Sequence, residues 1–272
     1  MLKFEIFDLW NNVPGMCEEV PKITAYIPDN KASDGAVVIF PGGGYAVRAN
    51  HEGEGYAKYL SENGITAFVV DYRVSPHRFP CQLLDARRGV KFARFYAEKY
   101  DIDKDKIAVM GSSAGGHLAA LVSTYFDEID CEVVQDEIEK EDFIPNAQIL
   151  CYPVIRILGK GIAHFGTGQN LLGVEKHASC GEDFQPDMLV SEGTPKAFIW
   201  HTAADGGVSV LNSYEYASSL KRHNIDVEMH IFPHGIHGLG VCKGDITEDE
   251  KVLAHDAQWT QLLLNWLRYI GF

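Results

Sequence analysis

The residues best placed to do chemistry lie between Ile107 and Ala120. The apolar run Ile107-Ala108-Val109-Met110 ends in Gly111-Ser112-Ser113-Ala114-Gly115, followed by Gly116-His117-Leu118-Ala119-Ala120, which are mostly good helix formers. Gly-x-Ser-x-Gly between a strand and a helix is the pattern of a sharp turn that lifts a serine hydroxyl clear of its neighbours. Glycines are needed on both sides because a Cβ there would meet the adjoining strand or helix. Only one of the two serines is in frame. Ser112 as nucleophile would require glycine where Met110 stands, so the nucleophile is Ser113. A phosphate loop would use the spacing of Gly111 and Gly116, but it continues with Lys and Ser/Thr, where this chain has His117 and Leu118.

A serine hydroxyl is a weak nucleophile until an imidazole can take its proton and a carboxylate holds that imidazole in the right tautomer. Downstream, Lys196–His201 reads as a strand ending in Thr202-Ala203-Ala204-Asp205-Gly206-Gly207-Val208, and Asp226–Phe232 as a last strand ending in Pro233-His234-Gly235-Ile236-His237-Gly238. Asp205 is the candidate acid: Asp226 begins a strand, at the wrong edge of a sheet, and Asp183 lies in an irregular stretch. Of the histidines, His237 beside Gly238 is the candidate base, with His234 a neighbour in the same loop. The order Ser, Asp, His is that of one known triad arrangement. A zinc reading of His234-x-x-His237 has no third ligand at a recognisable spacing.

Upstream, Ala36-Val-Val-Ile-Phe40 is a continuous apolar run, as expected of a strand buried on both faces, and it ends in Pro41-Gly42-Gly43-Gly44-Tyr45. Glycines at a strand end leave backbone N–H groups free to point at a ligand, as an oxyanion hole requires. A dinucleotide fingerprint would need glycine at Val47.

The remaining elements position these residues. Residues 3–9 and 20–27 read as opening antiparallel strands, 54–63 as a helix closed by Gly64, 65–70 as a strand and 80–100 as a long helix. Residues 147–152 read as another strand, 209–223 as a helix, and the apolar stripe from Trp259 to Ile270 as a core-facing helix. Strands alternating with helices imply an α/β class with a mostly parallel central sheet flanked by helices. Residues 1–272 read as a single domain. The stretch 127–142 holds nine carboxylates and one lysine and reads as a solvated helix or loop. Residues 157–193 lack periodicity, which suits a small lid or pocket wall covering the acyl or alcohol site.

Composition narrows the class further. A net charge of −14 opposes binding to nucleic acid or to an anionic membrane surface. The cysteines at 17, 81, 131, 151, 180 and 242 show no paired spacing, and the first residues do not resemble a signal peptide. Free thiols and a cytoplasmic location are expected.

Taken together, Pro41-Gly-Gly-Gly-Tyr45, Asp71-Tyr-Arg-Val-Ser-Pro76, the helix carrying Asp85, Gly111–Leu118, Tyr152-Pro153, Trp200–Asp205 and Phe232–Gly238 resemble the esterase/lipase group of α/β hydrolases. The likeness is strongest to small acetyl-xylan and feruloyl esterase-like proteins. It implies an α/β-hydrolase fold, a triad of Ser113, Asp205 and His237, and an oxyanion hole formed by the amides of Gly43, Gly44 and Ala114. It further implies hydrolysis of short acyl esters, acetyl and sugar-linked ones in particular, through an acyl-enzyme, with a small-molecule ester as substrate, no cofactor and no metal. Pro41 departs from the histidine usual in lipase-type turns and favours the carbohydrate-esterase branch. Two rivals remain, a small serine aminopeptidase or amidase of the same fold and a non-catalytic hydrolase-like binding protein. The oligomeric state is left open.

Overall fold

The computed structural model describes residues 3–14, 19–133, 135–243 and 246–272. Eight strands form one sheet. In chain order they are β1 (Lys3–Asp8), β2 (Lys22–Ile27), β3 (Ala36–Phe40), β4 (Thr66–Val70), β5 (Ile107–Ser112), β6 (Ala147–Cys151), β7 (Lys196–Thr202) and β8 (Val227–Phe232). Their spatial order is β1-β2-β4-β3-β5-β6-β7-β8. β2 runs antiparallel to both β1 and β4, and all later pairs are parallel. The expected antiparallel opening and parallel remainder are both present.

The central strands are apolar throughout because helices cover both faces of the sheet. Every residue of β3, β4, β5 and β6 is buried. Helices α2 (Cys81–Phe95), α3 (Ala114–Val122) and α7 (Leu211–Arg222) contribute Leu83, Val90, Leu118, Leu121, Tyr216 and Leu220 to one core layer. Helices α1 (Asn50–Glu62) and α9 (Gln258–Tyr269) contribute Tyr56, Leu60, Trp259, Leu263, Trp266 and Leu267 to the other. Alternation along β3 serves both layers: Val38 and Phe40 face the first, Val37 and Ile39 the second.

Three expectations need correction. Helix α1 begins at Asn50, four residues before the expected start, although Gly53 and Gly55 lower its intrinsic propensity. Packing overrides propensity here. A Cβ on Gly53 would lie 2.9 Å from Pro41 Cγ and 3.1 Å from Val69 Cγ1, so glycine lets the helix close on the sheet. Helix α2 stops at Phe95, and the next residues turn so that Tyr100 packs on Phe68 (5.4 Å between ring centroids). The described residues of the acidic stretch form loops around a 3-10 turn at Ile138–Lys140 and are not simply solvated. Arg88 reaches Asp136 at 2.6 and 2.7 Å and Glu139 at 3.0 Å, and Lys91 reaches Glu139 at 2.6 Å. The hydrogen bond from Arg88 is the main reason the Asp136 carboxyl is held down to about 2.

Residues 157–193 carry short helices α4 (Phe165–Leu172), α5 (Val174–Cys180) and α6 (Pro186–Leu189); α8 (Glu250–Asp256) leads into α9. Cys131, Cys151, Cys180 and Cys242 are free, and Cys17 lies outside the described residues. No helix among the described residues is long and apolar enough to cross a membrane.

Candidate active site

Gly42–Gly44 follow β3, Ser113 follows β5, Asp205 follows β7 and His237 follows β8. In an open parallel sheet the carboxyl ends of the strands share one edge, which is where ligands bind. The sharpest turn is at Ser113. Its backbone has φ 53° and ψ −119°, conformational strain that a non-glycine residue rarely carries outside functional sites. Its N–H donates to Cys151 O at 3.1 Å, and its carbonyl accepts from Val154 and His117 N–H, both at 3.0 Å. A Cβ at Gly111 would fall 2.0 Å from Gly115 O, and one at Gly115 would fall 2.0 Å from Phe40 O. The two glycines of the motif are thus required by close packing of backbone on backbone.

Ser113 Oγ lies 2.9 Å from His237 Nε2, and His237 Nδ1 lies 2.7 Å from Asp205 Oδ2. The structure therefore brings the expected serine, histidine and aspartate into one hydrogen-bonded series. Because a carboxylate can only accept, Nδ1 carries the proton and Nε2 is free to accept from the serine. The other oxygen of Asp205 accepts from the N–H groups of Gly207 and Val208, each at 2.8 Å. Burial raises the proton affinity of this carboxyl, but hydrogen bonds from His201 and His237, with the charge of His237, outweigh it and hold it well below the usual carboxylate range. His234 is exposed and takes no part in the series.

The glycine turn is asymmetric. Gly42 N–H donates to Glu52 Oε2 at 2.9 Å, while the N–H groups of Gly43, Gly44 and Ala114 have no acceptor among the described residues. Gly43 and Gly44 have φ of +128° and +65°. Ala114 opens α3, whose N-terminus carries partial positive charge. These are the three amides expected to receive an oxyanion.

The 157–193 segment packs onto this arrangement. Asn170 Nδ2 donates to Gly44 O at 2.8 Å. His164 and Asp205 both line a cleft of about 280 Å³. The His164 Nδ1 accepts from Thr167 N–H, so its neutral ring carries the proton on Nε2. His117 is fully buried and pushed down to about 4 by desolvation. Its Nε2 donates to Phe184 O and its Nδ1 accepts from Tyr45 O–H, both at 2.9 Å. A neutral imidazole thus joins the elbow helix, the glycine turn and the insertion.

Several contributors escaped the sequence reading. Glu52 sat in a stretch with weak helical signal. His201 carries no sign in the sequence beyond preceding the acid, yet its Nε2 lies 3.3 Å from Asp205 Oδ2. Tyr152 packs edge-on against His237 at 5.1 Å and 72°. A buried aromatic at a strand end carries no local signal of such a role.

A mostly parallel eight-stranded sheet covered on both faces, with a serine on a strained elbow facing a histidine from the last strand's loop, defines an α/β hydrolase. The chain belongs to the BD-FAE family, whose model matches residues 23–220. Among solved structures it resembles the acetyl ester-xyloside bifunctional hydrolase from Caldicellulosiruptor lactoaceticus, with 39% identity, a TM-score of 0.87 and coverage of 98% of this chain and 97% of that one. It is 33% identical over 234 residues to endo-1,4-beta-xylanase B of Butyrivibrio fibrisolvens, covering 83% of this chain and 36% of that protein. It is 30% identical over 254 residues to the acetylxylan esterase of Xylanibacter ruminicola, covering 92% of this chain and 48% of that protein. The chain thus spans half or less of the length of these two curated relatives.

Proposed function

We propose that the chain is a serine carboxylesterase that removes short acyl groups, acetyl above all, from sugar-type alcohols. The observation that carries this reading is the series Asp205–His237–Ser113 at 2.7 and 2.9 Å, beside amides with no acceptor among the described residues. Ser113 Oγ attacks the ester carbonyl while His237 Nε2 takes its proton. The tetrahedral oxyanion is received by the amides of Gly43, Gly44 and Ala114. His237 then returns the proton to the leaving alcohol, giving an acyl-serine that water hydrolyses by the same route. Asp205 holds the tautomer and balances the charge on the imidazole during each transfer. The cleft between His164 and Asp205 takes the alcohol half, with residues 157–193 as its wall. Acetylated sugars are favoured by the likeness to an acetylxylan esterase and to an acetyl ester-xyloside hydrolase. The free thiols of Cys131, Cys151, Cys180 and Cys242 support a cytoplasmic location.

The test is hydrolysis of p-nitrophenyl esters from acetyl to decanoyl, alongside acetylated xylose and a matched acetanilide, by the wild type and Ser113→Ala. Turnover confined to short esters, and reduced at least about 10³-fold in the variant, is expected. Equal cleavage of the anilide would favour an amidase. No turnover together with no labelling by a fluorophosphonate would favour an inert binding protein.

A further inference from the structure

Glu52 is a second carboxylate buried close to the candidate triad, and it touches neither the serine nor the histidine. Its side chain is 4% exposed. One oxygen accepts from Gly42 N–H at 2.9 Å and the other from Tyr152 O–H at 2.7 Å. The Tyr152 oxygen in turn accepts from Gly240 N–H at 2.9 Å, and its ring edge rests on His237. Next to Glu52 in sequence, His51 Nε2 donates to Gly238 O at 2.9 Å. From its place in α1, the carboxylate therefore reaches the glycine turn directly and the histidine loop through one tyrosine.

We propose that Glu52 is a positioning residue that sets the oxyanion-receiving turn and the histidine loop relative to each other. This rests on the reading of the site as a serine esterase. The glycine turn supplies the first argument. A Cβ at Gly42 would stand 2.3 Å from Glu52 Oε2, so that glycine makes room for the carboxylate, while its amide is consumed by it. Fixing Gly42 in this way leaves the next two amides free to face substrate.

The second argument is energetic. Burying a carboxylate without a lysine or arginine beside it is expensive, and the basic side chain recorded against it is the half-exposed His51, 3.8 Å away. Desolvation raises the proton affinity of Glu52, opposed by the bonds and charges around it. The other ionisable groups facing it are His237, Tyr56, Tyr72, Tyr152 and Cys151, and burial keeps the tyrosines and the thiol uncharged. A helix could be anchored by an apolar residue at lower cost. What a carboxylate offers is two acceptors facing different elements, and here those elements bear the oxyanion donors and the base.

The experiment measures kcat and KM on p-nitrophenyl acetate, and the inhibition constant of butylboronic acid, whose serine adduct mimics the tetrahedral oxyanion. Wild type, Glu52→Ala, Glu52→Gln, Tyr152→Phe and Ser113→Ala are compared. Glu52→Ala is expected to lower kcat about 10²-fold with KM within about threefold, and to weaken boronate binding in proportion, the size seen when an oxyanion donor is lost. Glu52→Gln is expected to keep kcat within about tenfold of wild type. Its amide oxygen accepts from Gly42, and its amide nitrogen donates to a reoriented Tyr152. Should Glu52→Ala fail to fold, Tyr152→Phe carries the test, with kcat and boronate affinity falling together. Unchanged kcat and boronate affinity in Glu52→Ala, or in Tyr152→Phe if the former is unfolded, would overturn the role of Glu52 alone. Absence of wild-type turnover, or full turnover in Ser113→Ala, would overturn the esterase reading and this inference with it.

Discussion

His201 Nε2 lies 3.3 Å from the same oxygen of Asp205 that His237 Nδ1 meets at 2.7 Å. The two imidazoles thus converge on one carboxylate oxygen, one fully buried and the other a quarter exposed. The other nitrogen of His201 meets the Ser213 hydroxyl at 2.8 Å, which ties the acid to α7.

Replacing His201 by leucine is expected to make the protein more sensitive to acid. The folded carboxyl of Asp205 sits below its unfolded value, so its contribution to stability is present above the ordinary carboxylate range of about 3.9 and is lost as pH falls through the folded value. Without the His201 contact the folded value rises, the neutral-pH contribution shrinks, and acid unfolding moves to higher pH. A circular dichroism titration of both proteins measures this. An unmoved midpoint would show that His201 does not help to hold the acid.

Gly207 packs beneath the candidate base. A Cβ there would stand 2.9 Å from His237 Cβ and Cγ, although Gly207 itself is exposed and needs no unusual φ. Gly207→Ala should therefore push the imidazole away from Ser113 while barely changing the thermal midpoint. A displacement near 1 Å is expected to reduce kcat by about 10- to 100-fold. A variant with normal kcat would mean the loop yields freely.

The two adjacent serines separate cleanly by experiment. Ser112 Oγ is 2.7 Å from Tyr56 O–H, inside the core, and Ser113 Oγ faces His237. Ser112→Ala should lower the unfolding free energy by about 1 kcal/mol and still be labelled by a fluorophosphonate. Ser113→Ala should keep its stability and lose the label. Labelling retained in Ser113→Ala would move the nucleophile elsewhere.

What could be read in the sequence was what local pattern encodes. The all-apolar strands announce a doubly covered sheet, and the serine, aspartate and histidine each stand beside glycines at a strand end. Glu52 was hidden because its helix opens through Gly53 and Gly55, which a propensity argument reads as a loop, whereas Gly53 lets the helix close on Pro41 and Val69. Asp136 and Glu139 looked solvated because their partner Arg88 stands about 50 residues upstream. Residues 157–193 stayed opaque because their helices are short and are held by contacts such as Asn170 with Gly44 and His117 with Phe184, not by their own periodicity.

The strand order also governs when this site can come into being. The serine directly follows β5 at the middle of the sheet, whereas its partners hang from the last two strands, and the contact between His237 and Ser113 spans 124 residues. Contacts so distant in sequence close late, after the intervening loop entropy has been overcome. A nascent or C-terminally shortened chain would display the elbow with no base to activate it. On the proposed esterase reading, Ser113 thus stays inert until β7 and β8 have docked, and its reactivity would report that the sheet is complete.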